Sequence, residues 1–508
     1  MKINFAGRPP DRSRRDRLDA RIDHQEEIQL AASVRQALEQ VRLRCVGCQA
    51  LYPVLEPGRA ARYRCDCGEV LDVEIPLLLP KPPSPQAGTA QQADEEAAAW
   101  RRLFVERAML VPGTPGAATV QRSGVWRYRE LILPIPEEAV ISRAEGNTTL
   151  YAVGSDQQQE TQASPGLRRI GEYAGLSQLY LKHEGENPTG SFKDRGMVVG
   201  VTMARLMGAR AVACASTGNT SASLASYAAL AGLQALVFLP AGQVAGGKLA
   251  QTLAYGAHMV QINGDFDAAM QLVEQVCDES GIYLLNSLNP FRVEGQKAIA
   301  FELLQQLNWQ APDWLVLPAG NLGNTSALGK AFRQARELGL ISHLPRLAAI
   351  QAAGANPFYL SYREGFARRH AVQAQTVASA IKIGNPVSYA RARLVIEECA
   401  GLVEEVSDPE ILEAKAVIDR AGIGCEPASA ATLAGIRKLV RAGIIKPNER
   451  VVAILTGNLL KDYQTGIPRA ETVCIDPDLA SVRRTLDALG SLTGPSSGEG
   501  GSAATRAL

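Results

Sequence analysis

Short apolar runs that end in polar turns and lead into helical patterns recur along most of this 508-residue chain. Helical patterns such as Phe266 to Val276 separate most of these runs. Strands that alternate with helices predict parallel sheets with right-handed crossovers, and hence an α/β fold with two α/β domains around a cleft. The candidate strands lie at 179–181, 211–215, 235–239, 258–262, 282–285, 314–318, 346–351 and 450–455.

Three of the turns that follow these strands carry side chains suited to chemistry. Lys193 follows a turn rich in glycine and proline and begins a predicted helix, with Ser191 as its predicted N-cap. Residues 216–221 read Ser-Thr-Gly-Asn-Thr-Ser, and residues 320–325 read Gly-Asn-Leu-Gly-Asn-Thr. Ligands of open α/β sheets bind at the carboxyl ends of the strands, so we expect all three turns at one cleft.

Each turn alone also has an ordinary structural explanation. A lysine at a helix start is usually a solvated surface residue, and a glycine-rich turn is often only packing. In a cleft, however, the amine of Lys193 could form a Schiff base with a carbonyl cofactor. Glycines and a helix N-terminus let residues 320–325 approach and hold a phosphate.

Together with further motifs in the same order, these turns resemble the pyridoxal-phosphate enzymes of fold type II. Their amino-acid sequences are most similar to those of the threonine synthase family. The resemblance covers about Trp126 to Asp462. The other motifs that carry it are Trp126-Arg127-Tyr128-Arg129-Glu130-Leu131, Glu145-Gly146-Asn147-Thr148, Asn286-Ser287-Leu288-Asn289-Pro290, Arg292-Val293-Glu294-Gly295-Gln296-Lys297, Ile383-Gly384-Asn385-Pro386, Cys425-Glu426-Pro427-Ala428-Ser429-Ala430 and Leu455-Thr456-Gly457-Asn458.

The resemblance implies pyridoxal 5'-phosphate as the cofactor and a role for each matching position. Lys193 would bond covalently to the cofactor and then move protons. Asn219 would hydrogen-bond the ring hydroxyl. Thr456 would face the pyridine nitrogen. The alternative is that it only ends a buried strand, but the turn Gly457-Asn458 that follows favours the role at the cofactor. The cofactor phosphate would be held, mainly through backbone N–H groups, by Gly320, Asn321, Leu322, Gly323 and Asn324.

The resemblance further implies a carbon–oxygen lyase that converts O-phospho-L-homoserine and water to L-threonine and phosphate by β,γ-elimination and replacement. This small-molecule substrate carries a second phosphate, for which Arg292 offers a planar fork and Lys248 a point charge. Lys248 alone could equally be a surface charge at a helix start. Ser216 and Thr220 would contact the amino-acid end of the substrate. The substrate phosphate would be held by Lys248, Asn286, Ser287 and Arg292.

Three other functions stay open. A paralogue such as cysteate synthase, which uses phosphoserine and sulfite, would keep most of the motifs. A threonine or serine dehydratase shares the scaffold but typically has an all-glycine phosphate loop. A binding protein on an inactive scaffold would be expected to have lost the lysine or its cofactor cradle, yet the residues required are all present: Lys193, Asn219, Gly320, Gly323 and Thr456.

Four of the nine cysteines cluster as Cys45-x-x-Cys48 and Cys65-x-Cys67. Thiolates at such spacing can form a tetrahedral zinc site of the ribbon type, and many threonine synthases carry an N-terminal cysteine module. Only one residue separates the second pair, where a ribbon usually has two, so the alternative is a metal-free remnant. A disulfide is the least expected state in a reducing compartment. We predict a small zinc-ribbon-like module, with structural zinc as its expected ion.

Changes in composition indicate the domain boundaries. We predict a charged helical leader at 1–43, the cysteine module at 44–75 and a linker with a helix at 76–125. The catalytic core, with two α/β subdomains, is predicted at 126–475. A tail with a disordered, glycine- and serine-rich end follows at 476–508.

The balance of charge agrees with an enzyme that acts on a small molecule. The formal net charge of +1 at pH 7 gives no reason to expect a nucleic-acid or membrane-surface partner. No apolar run reaches the roughly 18 residues that span a bilayer, and the start of the chain lacks the apolar core of a signal peptide. We therefore expect a cytoplasmic protein. The resemblance implies a homodimer, which no pattern in the chain establishes.

Overall fold

The computed structural model describes residues 29–56, 61–79, 89–109, 122–153, 164–216, 218–241, 246–263, 266–463, 465–466 and 473–488. The chain divides into two units, Met1–Gly466 and Ile467–Leu508. Within the described ranges, every helix is too short or too polar to cross a membrane.

The strands are β1 (Arg42–Cys45), β2 (Leu51–Pro53), β3 (Leu71–Glu74), β4 (Leu150–Ala152), β5 (Leu179–His183), β6 (Ala211–Ala215), β7 (Gln234–Pro240), β8 (His258–Ile262), β9 (Tyr283–Leu284), β10 (Trp314–Pro318), β11 (Arg346–Ala352), β12 (Leu402–Val406) and β13 (Val451–Leu455). The helices are α1 (29–38), α2 (Thr89–Ala108), α3 (Arg129–Ile132), α4 (Pro165–Ala174), α5 (Lys193–Leu206), α6 (Asn219–Ala231), α7 (Gly246–Ala254), α8 (Phe266–Ser280), α9 (Pro290–Gln296), α10 (Ala298–Gln306), α11 (Gly323–Glu337), α12 (Pro357–Arg363), α13 (Tyr389–Glu398), α14 (Asp408–Arg420), α15 (Pro427–Arg441) and α16 (Leu479–Ala488).

A six-stranded sheet has the order β12-β11-β10-β13-β5-β4. All its strands pair in parallel except β4, which runs antiparallel to β5 at the edge. Every residue of β5, β10 and β13 is buried, as expected for central strands that are covered on both faces. The carboxyl ends of β5, β10 and β13 lead into the segments of Lys193, Gly320 and Thr456.

A second, four-stranded sheet is entirely parallel and has the order β8-β7-β6-β9. The predicted α/β fold is confirmed, and β6, β8 and β10 have the predicted bounds. Two edge strands of the larger sheet, β4 and β12, are additional to the prediction. β4 has only three residues, and β12 contains Glu404 and Glu405, which interrupt its apolar pattern.

The cysteine module is a three-stranded antiparallel sheet with the order β2-β1-β3. Its first strand starts at Arg42, so the module begins before the predicted boundary at residue 44. Only helix α1 of the predicted leader can be described, because residues 1–28 lie outside the described ranges. The Pro-rich stretch at 80–88 also lies outside them, and α2 follows it.

The second unit contains one described helix, α16, which lies within the segment predicted as a tail. Residue Asp478 stabilises its start, because Oδ1 and Oδ2 of Asp478 accept hydrogen bonds of 2.8 Å each from the amide and the hydroxyl of Ser481. The predicted disordered end at 494–502 lies outside the described residues.

Candidate active site

Lys193 begins α5 and lies on a turn that is tied to the turn after β13. The amide of Phe192 donates to the carbonyl of Thr456 at 3.0 Å, and the amide of Asn458 donates to the carbonyl of Gly190 at 2.9 Å. These bonds join two adjacent strand ends, because β5 and β13 are neighbours in the sheet. The position of Lys193 is therefore set by both strands.

The predicted N-cap of α5 is wrong. The cap position is occupied by Phe192, in helical conformation and without a side-chain hydrogen bond. The Ser191 hydroxyl is buried without a hydrogen-bond partner among the described residues. Asp194 organises the turn instead, since it accepts bonds from the amide and the hydroxyl of Thr189 at 2.7 and 2.5 Å.

The amine of Lys193 loses its proton much more readily than an ordinary lysine. Burial lowers its pKa to about 7, the positive charge of Arg292 acts in the same direction, and Glu426 opposes both. The Nζ atom lies 4.0 Å from the centre of the Phe192 ring. A lysine must be unprotonated to attack a carbonyl, so this environment suits a covalent role.

Asn219, expected at the ring hydroxyl of the cofactor, and Thr456, expected at the pyridine nitrogen, meet on one buried carboxylate. Asn219 Nδ2 donates to Glu426 Oε2 at 2.9 Å, and Thr456 Oγ1 donates to Glu426 Oε1 at 3.1 Å. The Ser429 hydroxyl accepts from the amides of Thr456 and Gly457 at 2.8 and 3.0 Å. Burial raises the pKa of Glu426, while its bonds to Asn219 and Thr456 lower it.

Glu426 and Ser429 carry no assigned role in the sequence analysis. Both lie at the start of α15, where Glu426 occupies the N-cap position without a side-chain cap bond. The signal that could have identified them is the motif Cys425 to Ala430, which matches the family. Because the Glu426 side chain makes no capping hydrogen bond, its carboxylate is available to the side chains of the site.

The loop Gly320 to Asn324 joins β10 to α11 and fits a phosphate. Leu322 has a φ of 65°, and α11 begins directly after it, so unpaired N–H groups of the first helical turn face the loop. Both polar side-chain atoms of Asn324 are buried without partners among the described residues. A Cβ on Gly320 would lie 3.1 Å from the Cα of Ile381. The unsatisfied donors at this helix start are those that a cofactor phosphate would use.

Arg292 is the predicted substrate residue with the clearest environment. Its side chain is buried, Nη1 donates to the carbonyl of Leu285 at 2.9 Å, and Nε has no partner among the described residues. Burial lowers its pKa to about 10. Its positive charge also lowers the pKa of Lys193, and the guanidinium has no carboxylate partner among the described residues. Such a group can accept an anion.

The other predicted substrate residues have more varied surroundings. Asn286 is engaged with the backbone at the end of β6, since its Oδ1 accepts from the Ala215 amide at 2.9 Å and its Nδ2 donates to the Ala215 carbonyl at 3.2 Å. Ser287 follows it and is half-buried, as are Ser216 and Thr220 beyond the same strand end. Lys248 lies in α7, and its side chain is outside the described part of the chain.

The structure brings the four clustered cysteines together. Their Sγ atoms all lie within 4.8 Å of one another, with 3.5 Å between Cys45 and Cys67 and 3.4 Å between Cys48 and Cys65. Zinc–sulfur bonds of about 2.3 Å in a tetrahedron place the sulfurs about 3.8 Å apart. The short second spacer is thus compatible with a four-thiolate zinc site.

Comparisons with known proteins agree with this geometry. Residues 161–457 match the family of pyridoxal-phosphate dependent enzymes. The chain is 41% identical over 453 residues to the threonine synthase of Methanocaldococcus jannaschii, covering 88% of this chain and 99% of that one. It is 48% identical over 365 residues to the threonine synthase of Methanosarcina acetivorans, covering 71% and 86%.

Solved structures share the fold at low identity. Maize serine racemase matches with a TM-score of 0.52 and 19% identity, covering 68% of this chain and 92% of that one. Diaminopropionate ammonia lyase from Escherichia coli matches with a TM-score of 0.53 and 14% identity, covering 73% and 90%. The chain therefore belongs to the pyridoxal-phosphate-dependent enzymes of fold type II and, within them, to the threonine synthase family.

Proposed function

We propose that this enzyme converts O-phospho-L-homoserine and water to L-threonine and phosphate. The observation that carries the proposal is a buried lysine of lowered pKa in a fold that also holds two different candidate anion sites. One is the helix-start loop from Gly320 to Asn324, and the other is the buried guanidinium of Arg292. Two anion sites suit a phosphorylated cofactor together with a phosphorylated substrate.

The residues on the cofactor side fit pyridoxal phosphate, which when bound supplies an electron sink for the bond changes in the substrate. Lys193 holds the cofactor covalently and, when released, accepts a proton from the substrate at its Nζ atom. Asn219 would hydrogen-bond the ring hydroxyl, and Thr456 would face the pyridine nitrogen. Glu426 fixes the side chains of both, so their geometry exists before any ligand arrives.

On the substrate side, one set of residues binds the phosphate of the substrate and another binds its amino-acid end. Arg292 holds the substrate phosphate and stabilises its growing negative charge as the carbon–oxygen bond breaks. Ser287, Asn286 and Lys248 complete this set in the proposal. Ser216 and Thr220, beyond the end of β6, contact the amino-acid end. A water molecule supplies the hydroxyl group of threonine, and inorganic phosphate leaves.

The assembly of the protein is also part of the proposal. The four cysteine thiols hold a structural zinc ion, as their mutual distances support. The resemblance to the family supports a homodimer, and the proposed location is the cytoplasm. Small molecules, rather than nucleic acid or membrane, are the partners that its balanced charge favours.

The test measures phosphate release and amino-acid products from cofactor-loaded protein given O-phospho-L-homoserine. We expect equal amounts of threonine and phosphate, with no turnover in Lys193→Ala. Lys438→Ala is a matched control, because that lysine bonds Glu404 and the carbonyl of Glu405 outside the site. Phosphate release with phosphoserine and sulfite, or ammonia release from threonine or serine, without turnover of O-phosphohomoserine, would contradict the proposal.

A further inference from the structure

The cysteine module, residues 42–74, contacts the segment that carries most of the proposed substrate-phosphate site. That segment, Leu284–Arg292, is called the phosphate segment below and includes Asn286, Ser287 and Arg292. We propose that Tyr63 and Asp72 of the module are positioning residues that hold Arg292 in place for the substrate phosphate. This inference rests on the proposed function, because it takes Arg292 as the ligand of that phosphate.

The first contact is made by Tyr63 at the open edge of the four-stranded sheet. The amide of Leu284 donates to the Tyr63 hydroxyl at 2.8 Å. The ring of Tyr63 meets that of Tyr283 edge-on, with 5.9 Å between the ring centres. Among the described strands, β9 is at the end of its sheet and pairs with β6 alone. Tyr63 therefore supplies the hydrogen bond that a further strand would otherwise make.

The backbone next to this contact holds Arg292 directly. The carbonyl of Leu285 accepts from Arg292 Nη1 at 2.9 Å, and the carbonyl of Leu284 accepts from Asn289 Nδ2 at 2.9 Å. The Oδ1 atom of Asn289 caps α9 by accepting from the amides of Phe291 and Arg292 at 3.0 and 3.3 Å. A shift of Leu284 would thus move both ends of the arginine.

The second contact is ionic and reaches α9 through Lys330 of α11. Lys330 Nζ lies 3.2 Å from Asp72 Oδ1 of the module and also contacts the Val73 carbonyl and Glu294 Oε1. Glu294 Oε2 in turn lies 2.5 Å from Lys297 Nζ. Two lysines are thus balanced by two carboxylates, one of which belongs to the module. Glu294 is fully buried and follows Arg292 by two residues.

Apolar packing completes the interface between the module and the core. Leu43 and Val54 of the module belong to the same buried cluster as Phe291 of the phosphate segment and Met203 of α5. Leu43, Val54 and Tyr63 of the module line one small cavity together with Met203 and Phe291. The module therefore lies against α5, which also carries Lys193, as well as against the phosphate segment. Residues of the module also satisfy polar groups of the core, namely the Leu284 amide and the Lys330 amine. The module is therefore part of the hydrogen-bond network of the core.

The test compares full-length, cofactor-loaded Tyr63→Phe and Asp72→Asn enzymes with wild type. We expect the KM for O-phospho-L-homoserine to rise about three- to tenfold in Tyr63→Phe, the cost of one hydrogen bond, and at least as much in Asp72→Asn. The kcat and the absorption of the bound cofactor should remain near wild type. Asp72→Glu should recover part of the loss, since it restores the charge.

Hydrogen–deuterium exchange gives a readout that does not depend on turnover. Amides of the phosphate segment should exchange faster in Tyr63→Phe than in wild type. Tyr173→Phe and Glu398→Gln are matched controls, because Tyr173 packs on Arg437 and Glu398 pairs with Arg333, both outside the module. These controls should leave both KM and exchange unchanged.

An unchanged KM together with unchanged exchange in the phosphate segment would overturn the inference, even if the melting temperature fell. If Asp72→Asn does not fold, Tyr63→Phe still decides the result, because it keeps the ring and removes one oxygen. If wild type does not turn over O-phosphohomoserine, the proposed function fails by itself. Exchange in the phosphate segment then decides whether the module holds Arg292.

Discussion

Three neighbours determine the chemistry of Lys193: the apolar surroundings that remove water, the guanidinium of Arg292 and the carboxylate of Glu426. The first two favour the neutral amine, and the third favours the charged one. Because its pKa is lowered from 10.5 to about 7, the folded protein binds fewer protons than the unfolded chain between these values. Without cofactor, this lysine therefore makes the protein more stable as the pH rises from about 7 towards 10.5.

The same shift predicts how the cofactor-free protein takes up pyridoxal phosphate. The uptake rate should increase as the pH is raised and reach half its maximum near pH 7, where Lys193 loses its proton. In Arg292→Gln the midpoint should move upward, because a positive charge near the amine is lost. The cofactor absorption after rapid mixing at several pH values measures both. A midpoint unaffected by this substitution would show that the two groups do not interact.

Glu426 accepts one hydrogen bond on each carboxylate oxygen, and a glutamine could accept only one of them. We therefore expect Glu426→Gln to weaken cofactor binding by about 3- to 30-fold, since either Asn219 or Thr456 loses its partner. The measurement is the Kd from titration of the cofactor-free protein. Glu398→Gln provides a matched control at a partly exposed ion pair. An unchanged Kd would show that Glu426 does not orient these side chains.

The start of α5 is held by a buried group of two cations and two anions. Arg195, in the first turn of α5, bonds Glu184 at 2.7 Å and Glu302 at 2.8 Å, and Lys182 bonds Glu302 at 2.6 Å. Burial alone would raise the pKa of Glu302, but Arg195 and Lys182 hold it well below its usual range. The group joins β5, α5 and α10 and thereby fixes the helix that carries Lys193.

Removing one charge from this group should destabilise the protein strongly. We expect Glu302→Gln to lower the free energy of unfolding by about 3–5 kcal/mol, because the buried Lys182 loses its carboxylate partner and Arg195 keeps only Glu184. The control Glu398→Gln should cost about 0–1 kcal/mol, as is usual for a partly exposed pair. Urea unfolding followed by circular dichroism measures both values. Equal losses in the two variants would contradict the role given to this group.

We expect the zinc content of the cysteine module to be independent of cofactor binding in the cleft. We expect about one zinc ion per chain in wild type and a clear loss in Cys48→Ala, because the remaining three thiols leave the tetrahedron incomplete. Zinc removal should lower the melting temperature, while the cofactor stays bound at Lys193. Cys474→Ala is the matched control, as that cysteine is exposed and belongs to the other unit. Metal-free wild-type protein of equal stability would contradict the zinc proposal.

Much of this enzyme could be read from local pattern alone. Strands β6, β8 and β10 and the turns at Lys193, Ser216 and Gly320 follow from short apolar runs and from turn residues, which are properties of neighbours in the chain. The cysteine cluster was visible for the same reason. The predicted N-cap of α5 was wrong, because Asp194, rather than Ser191, accepts the hydrogen bonds that hold the turn.

Other features depend on contacts between distant parts of the chain. Asn219 and Glu426 are 207 residues apart, and their hydrogen bond exists only because the two sheets bring α6 and α15 to one cleft. The ionic contact of Asp72 with Lys330 spans 258 residues. Apolar periodicity and turn residues therefore predicted the fold class, and the resemblance of the ordered motifs singled out the lysine and the phosphate loop as candidates. Only the tertiary structure decided the partner of each buried charge, because a charge removed from water must be compensated by whichever group the fold places beside it.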